Sequence, residues 1–132
     1  MPTLLDTHAW VWWVTEDDRL SPRARQAIRR ALDAEDATIS AISIWEIAKK
    51  VEKGQLVLDR PIQDWLAQAS SIKGLHLTEL SPAILIDSCG LPQPFHGDAA
   101  DQMIVASARH TRSTIVTKDR KLRDYPHAQT IW

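Results

Sequence analysis

Five acidic residues stand where carboxylates are able to do chemistry. Asp6 ends LLD, Glu46 lies in SIWEIAKK, Asp98 and Asp101 lie in HGDAADQMIVASAR, and Asp119 follows the apolar TIV of TIVTKD. Carboxylates that converge on one place repel one another unless a divalent cation binds between them. Carboxylate oxygens with water and phosphate suit Mg²⁺ or Mn²⁺, and the absence of paired Cys or His ligands argues against a structural zinc site.

Most of these acids also have a simpler interpretation. Asp6 and Asp98 suit the N-caps of the helices that follow them, and Asp119 suits the cap of a short turn. At 100° per residue, Glu46 lies on one helix face with Lys50, which favours an exposed ion pair worth only a few tenths of a kcal/mol. Taken singly, these four acids do not predict a site.

Asp101 is different because of its position on a predicted helix. It shares a stripe with Ile104, Val105 and Ala108, so its carboxylate is expected to point toward the buried side. A buried acid must be paired or must hold a metal.

Short apolar strands alternate with helices along the chain. Strands are predicted at Thr3–Leu5, Ala37–Ser40, Leu75–Leu80, Ile115–Val116 and Gln129–Trp132. Helices are predicted at Thr7–Val14, Ser21–Leu32, Ile42–Lys53, Pro61–Ser70, from Ser81 and from Asp98 to about His110. This alternation predicts an α/β fold with a parallel sheet covered on both faces, where ligands bind beyond the carboxyl ends of the strands. Asp6 and Asp119 follow strand ends and are expected there.

Length and composition indicate an ordinary globular protein. The 132 residues predict one domain, 1–132. The longest apolar run, Ala9–Val14, is too short for a membrane helix, so we expect a cytoplasmic protein without a membrane partner. Cys89 has no partner for a disulfide and is expected to be a small core residue. The net charge of −1 argues against a basic nucleic-acid binder, but acids gathered around cations would leave the remaining surface basic.

Tryptophans and basic residues are the other prominent side chains. Trp10, Trp12 and Trp13 crowd one short helix and are too many to bury on one narrow face, so one or more of them is expected at a protein interface. Trp45 and Trp65 are expected in the core. The histidines are scattered and are not preferred as ligands. Two basic clusters are candidates for phosphate contacts: Arg19, Arg23, Arg25, Arg29 and Arg30, and Lys118, Arg120, Lys121 and Arg123.

Four segments together resemble the PIN-domain family of ribonucleases, in the branch of VapC-like toxins. They are LLDTHAWVWW, ISAISIWEIAKKVEKGQL, LPQPFHGDAADQMIVASAR and TIVTKDRKLRDYPHAQTIW, in this order and spacing. The resemblance implies a three-layer α/β/α fold around a mostly parallel sheet of about five strands. It also implies a metal-dependent ribonuclease that uses Mg²⁺ or Mn²⁺, forms a homodimer and is inhibited by a cognate antitoxin.

The resemblance assigns roles residue by residue. The four acids of the family match Asp6, Glu46, Asp101 and Asp119, which overrides the surface-pair interpretation of Glu46. Auxiliary positions match Asp98, Thr117 and Lys50. Members of this branch typically read His-Arg-Asp-Pro-Phe-Asp-Arg where this chain has HGDAADQ, residues 96–102, so substrate contacts and local rigidity differ here.

Two other function classes compete with this interpretation. Receiver domains and aspartate phosphatases, the two phosphotransfer types, also place Asp at a strand end. Receiver domains need an acidic pair after the first strand, whereas Asp6 stands alone. Aspartate phosphatases need a second Asp two residues after the first, where this chain has His8. Neither class accounts for Glu46 or Asp101. A non-catalytic PIN-like domain that binds RNA or protein is the third possibility, and the presence of all four acids counts against it.

Overall fold

The chain alternates strands and helices as its sequence predicts, and the computed structural model describes residues 2–132. The strands are β1 (Thr3–Leu5), β2 (Ala37–Ser40), β3 (Leu75–Thr78), β4 (Thr114–Val116) and β5 (Thr130–Ile131). The helices are α1 (Thr7–Val14), α2 (Pro22–Asp33), α3 (Ala41–Glu52), α4 (Ile62–Ser70), α5 (Pro82–Ser88), α6 (Ala99–Thr111) and α7 (Arg120–Arg123). Within the described residues, no helix combines the length and apolar character needed to cross a membrane.

The five strands form one parallel sheet in the order β3-β2-β1-β4-β5. In the centre, Leu5 of β1 pairs in register with Ile39 of β2 and Val116 of β4. The chain builds outward from β1 to β3 and then returns to the other side of β1, so the strand order reverses between β1 and β4. Such a reversal leaves a crevice at the carboxyl ends of the two strands, where ligands of open α/β sheets bind.

Each face of the sheet is covered by helices, which confirms the predicted three-layer α/β/α architecture. Leu5, Ile39 and Val116 point into a core shared with α1 to α4. The neighbouring residues Leu4 and Ile115 point into a second core shared with α5, α6 and α7. Alternate strand residues face opposite sides of a sheet, so consecutive residues in the middle of a parallel strand covered on both faces are mostly apolar.

Capping residues explain why the helix starts were predictable from the sequence. The Ser21 hydroxyl accepts from the backbone N–H of Ala24 at 3.0 Å, and Pro22 occupies the first helical position of α2. Ser81 caps α5 in the same way. Each cap satisfies a backbone donor that has no partner inside its helix.

Three predictions about packing and extent were wrong. Cys89 is exposed because it lies at the C-cap of α5, beyond the last residue that faces the core. Trp45 is 55% exposed because the buried face of α3 contains Ser43 and Ile47, on the opposite side of the helix. The third strand ends at Thr78, two residues earlier than expected. Trp65, in contrast, is buried as predicted.

Candidate active site

Asp6 lies in the crevice between β1 and β4 and is buried, with only 4% of its surface exposed. Its backbone N–H donates to the carbonyl of Val116, which joins the ends of the two strands. Its Oδ1 accepts from the N–H of Thr7 at 2.8 Å, and its Oδ2 accepts from the hydroxyl of Thr117 at 2.7 Å. Both oxygens of this buried carboxylate therefore have a donor, as a buried charge requires.

Thr117 connects Asp6 to Asp119. Its hydroxyl donates to Asp6 and accepts from the backbone N–H of Asp119 at 3.0 Å. Asp119 is the N-cap of α7, and its Oδ1 accepts from the N–H of Lys121 at 2.9 Å. The cap predicted from the sequence is thus present, and it also orients the carboxylate that follows β4.

Glu46 points from α3 toward α1 instead of forming a surface pair. The Thr7 hydroxyl lies 2.6 Å from Glu46 Oε1 and 2.8 Å from Ser43 Oγ. A hydroxyl has one proton, so Thr7 donates to the carboxylate and accepts from Ser43. In residues 2–132, Glu46 forms no ion pair with Lys50, so the periodicity-based prediction of that pair was wrong.

The surroundings of Glu46 hold its pKa above that of an exposed glutamate. Burial raises the pKa of Glu46, and the negative charges of Asp6 and Asp98 add to that effect. The hydrogen bond from Thr7 and the positive charge of Lys50 act in the opposite direction. Lys50 therefore lies close enough to influence the site electrostatically, although its side chain is exposed.

Asp98 and Asp101 form a reciprocal capping box at the start of α6. Asp98 Oδ1 accepts from the backbone N–H of Asp101 at 2.9 Å, and Asp101 Oδ2 accepts from that of Asp98 at 3.2 Å. Burial raises the pKa of Asp101 to about 7, and the charges of Asp98, Asp119 and Asp6 contribute further. Asp101 is half-buried, so it only partly occupies the buried side predicted for it.

Gly97 explains how Asp101 and its neighbours fit together. A Cβ at position 97 would lie 2.6 Å from the Cβ of Asp101 and 2.7 Å from the ring of Phe95. Both distances are shorter than atoms tolerate, so glycine lets the loop pass close to the carboxylate.

His8, Thr7 and Ser43 belong to the site although the sequence analysis did not assign them to it. His8 Nε2 accepts from the N–H of Lys118 at 2.8 Å, which places the proton on Nδ1, 3.6 Å from Asp6 Oδ2. Burial lowers the pKa of His8 despite the nearby negative charge of Asp6. The available signals were the position of Thr7 directly after Asp6 and of Ser43 one helical turn before Glu46.

We call Asp6, Glu46, Asp98, Asp101 and Asp119 the acid cluster. Its members are electrostatic neighbours, because each of the two raised carboxyl pKa values has other members among its causes. As the side chains stand, no three Asp, Glu, His or Cys residues in the described part of the chain are arranged to hold one metal ion. Mg²⁺ keeps several of its waters when it binds, so a site of this kind requires only one or two direct carboxylate ligands.

The donor set of the acid cluster fits a hard divalent cation. Glu46, Asp101 and Asp119 each have one oxygen that accepts a hydrogen bond from the protein. Their second oxygens accept none from residues 2–132 and are available to a metal ion or to its waters. A bound cation would also offset the repulsion that raises the pKa of Asp101.

Comparison with known proteins gives one family and one curated relative. The model of the PIN domain family matches residues 3–128. The chain is 36% identical over 131 residues to Ribonuclease VapC22 of Mycobacterium tuberculosis, an alignment that covers 98% of this chain and 97% of that protein.

Solved structures share the fold at lower identity. The crystal structure of VapBC2 from Rickettsia felis bound to a promoter DNA fragment has a chain with TM-score 0.69 and 18% identity, covering 99% of this chain and 98% of that one. DNA-bound VapBC from Salmonella typhimurium gives a TM-score of 0.67 and 18% identity, covering 99% and 97%. At these identities the likeness shows the fold.

Proposed function

The chain belongs to the PIN domain family, and on that premise we propose that it is a metal-dependent ribonuclease, the toxin of a toxin–antitoxin pair. Its curated relative is a ribonuclease and matches it over nearly the whole length of both proteins. The observation that carries the proposal is the acid cluster, which lies in the crevice where the order of strands reverses. Metal-dependent hydrolysis of a phosphodiester is the chemistry that such a group of carboxylates supports.

In this proposal Asp6, Glu46, Asp101 and Asp119 would hold Mg²⁺, directly or through water, with Mn²⁺ as an alternative. The ion, when bound, lowers the pKa of a water and neutralises charge that develops on the phosphate. Asp98 orients Asp101 through the capping box. Thr117 holds Asp6 and the backbone of Asp119 together, so that both carboxylates keep fixed positions.

The protein residues around the acids have separate tasks. The available oxygens of Glu46, Asp101 and Asp119 accept hydrogen bonds from water and orient it for in-line attack on phosphorus. Lys50 and Lys118 bring positive charge close to the acid cluster, because both lower the pKa of His8. These lysines are placed to attract a phosphodiester to a site that otherwise repels it.

The family also supplies the proposed partners. A toxin–antitoxin complex from Klebsiella pneumoniae is among the solved structures that share this fold. We therefore propose a cognate antitoxin that covers the site, RNA as the substrate, a homodimer, and action in the cytoplasm. The substitution of HGDAADQ for the usual sequence of this branch leaves both aspartates in place, so it bears on substrate contacts more than on metal binding.

An RNA cleavage assay tests the nuclease assignment. We expect the purified protein to cleave single-stranded RNA in Mg²⁺, to lose that activity in EDTA, and to lose at least a hundredfold when Asp101→Asn removes one ligand. Asp33→Asn is the matched control, since Asp33 is exposed at the end of α2 and lies outside the acid cluster. Cleavage by Asp101→Asn at the wild-type rate would defeat the assignment.

The structure disfavours the phosphotransfer alternative. Attack on phosphorus needs an oxygen that a phosphoryl group can approach in line, whereas Asp6 is buried and both of its oxygens accept hydrogen bonds. Each oxygen still has a second lone pair, which is enough for contact with a small cation or its water. Incubation with a labelled acyl phosphate discriminates the two classes. We expect no label on Asp6, and stable labelling there would favour phosphotransfer.

A further inference from the structure

Arginines from two distant parts of the chain border one hollow beside the acid cluster. Arg23 comes from the first turn of α2, whereas Arg120 and Arg123 come from α7. The hollow has a volume of about 340 Å³ and lies where β5 ends, with Trp132 as a further lining residue. We call the site lined by Arg23, Arg120, Arg123 and Trp132 the arginine hollow. The sequence alone divides its arginines between two separate basic clusters, and folding regroups them.

The charges of the hollow are largely uncompensated by the protein. Arg23 and Arg123 form no ion pair with a carboxylate in residues 2–132. Asp124 is the one acid in the lining and lies 3.6 Å from Arg120, but both side chains are at least 70% exposed. An ion pair with this degree of solvent exposure is weak, and a phosphate readily replaces its carboxylate. Three arginines against one aspartate leave the hollow positive.

The position of Arg23 is better suited to binding than to stability. It lies at the amino end of α2, where the helix dipole is positive and where acidic side chains are favoured. A cation there gains nothing from the helix, whereas an anion in the hollow would be attracted by the arginine and by the dipole together.

Aromatic rings connect the hollow to the acid cluster. The ring of Trp132 lies 5.7 Å from the ring of His8 and 5.9 Å from that of Trp12. His8 Nδ1 is 3.6 Å from Asp6 Oδ2, so one imidazole separates Trp132 from the carboxylate. Lys118 Nζ lies 5.7 Å from the Trp12 ring on the same path. Positive charge alternating with aromatic rings is typical of surfaces that follow a single nucleic-acid strand.

We propose that the arginine hollow binds backbone phosphates of the single-stranded RNA substrate, next to the bond that the acid cluster cleaves. This inference rests on the proposed function, because it requires RNA to be the substrate at the acids. Arginine pairs with phosphate through two parallel hydrogen bonds, which fix the position of a strand without reading its sequence. The hollow thus positions the RNA and contributes little to sequence preference.

A double variant and a matched control test the proposal. Arg23→Gln with Arg123→Gln removes two of the proposed phosphate contacts. Arg30→Gln with Lys73→Gln removes the same net charge at the opposite edge of the sheet, since Arg30 lies in the last turn of α2 and Lys73 precedes β3. Both pairs are made in the Asp101→Asn protein and measured in EDTA by fluorescence anisotropy with a labelled single-stranded RNA of mixed sequence. A denaturing gel verifies that the probe is intact.

The expected effect follows from counterion release. Each phosphate contact on a single strand adds about 0.7 to the magnitude of the negative slope of log affinity against log salt concentration. The hollow variant, which loses two contacts, should therefore have a slope that is less steep by about 1.4. At 0.15 M salt this corresponds to roughly tenfold weaker binding. The control pair should remain within about twofold of its parent. In protein with intact acids, the hollow variant should raise KM for RNA and leave kcat unchanged.

The outcomes separate this proposal from the proposed function. If the wild-type protein cleaves RNA but the hollow variant binds it as tightly as the control pair, the hollow is not an RNA site. Equal losses in the two pairs would also overturn the proposal, because they would reflect net charge alone. If the hollow variant loses affinity for an acidic antitoxin and not for RNA, the hollow is a protein site. A wild-type protein that cleaves no RNA refutes the proposed function itself.

Discussion

Neutralising Asp101 is expected to stabilise the metal-free protein, although this residue belongs to the proposed active site. Folding raises the pKa of Asp101 from 3.8 to about 7, and one pKa unit corresponds to about 1.4 kcal/mol, so ionising it in the folded state costs about 4 kcal/mol before screening. Because the side chain is only half-buried, solvent screens the cost to about 2 kcal/mol. The substitution Asp101→Asn weakens the interactions of this side chain with the helix dipole and in the capping box, which lowers the free energy of unfolding by about 1 kcal/mol.

The net gain for Asp101→Asn at pH 8 is therefore about 1 kcal/mol, or a Tm higher by about 4 °C. Between about pH 4 and pH 7 the unfolded chain has lost the Asp101 proton while the folded protein retains it. Stability of the wild type consequently falls as the pH rises through this window. The advantage of the variant should be largest at pH 8 and less than half as large at pH 5.

Thermal unfolding followed by circular dichroism measures this difference. Wild type, Asp101→Asn and the control Asp33→Asn are compared in EDTA at pH 5 and pH 8, and the control should match the wild type at both. Added Mg²⁺ should raise the Tm of the wild type and change that of Asp101→Asn much less. A variant that is less stable than wild type at pH 8, or that differs from it equally at both pH values, would refute the reasoning.

Two further substitutions test how the acids are held in place. Thr117→Val leaves Asp6 Oδ2 without its hydroxyl donor, and we expect a loss of about 1–3 kcal/mol in the free energy of unfolding by urea titration. Thr117→Ser should restore most of that loss, and equal stability of the two variants would contradict the role of the hydroxyl. Gly97→Ala places a methyl group against Asp101 and should reduce RNA cleavage at least tenfold. Gly90→Ala is its control, because the nearest atom there is 3.9 Å away, and equal rates for the two variants would show that the close approach is unimportant.

The helices and strands were predictable because their signals are local. Ser21 and Ser81 each precede a proline and cap a helix, and apolar runs such as TIV are typical of a parallel strand buried on both faces. Exposure was less predictable where a residue lies at the edge of an apolar pattern. Trp45 and Cys89 are residue types that are common in protein cores, but both are exposed. Trp45 lies on the outward face of α3, and Cys89 lies at the C-terminal end of α5.

Local sequence patterns locate Asp6 and Asp119 after strands and Asp101 in the first turn of a helix. The resemblance to PIN domains selects these three acids together with Glu46, which lies inside α3. The contacts of those acids depend on the tertiary structure. Glu46 bonds to Thr7 rather than to Lys50, and His8 binds the backbone after β4. Such contacts join residues far apart in the chain, and they depend on the strand order β3-β2-β1-β4-β5. Local periodicity carries no information about that order, because it is set by how whole helices pack across the sheet.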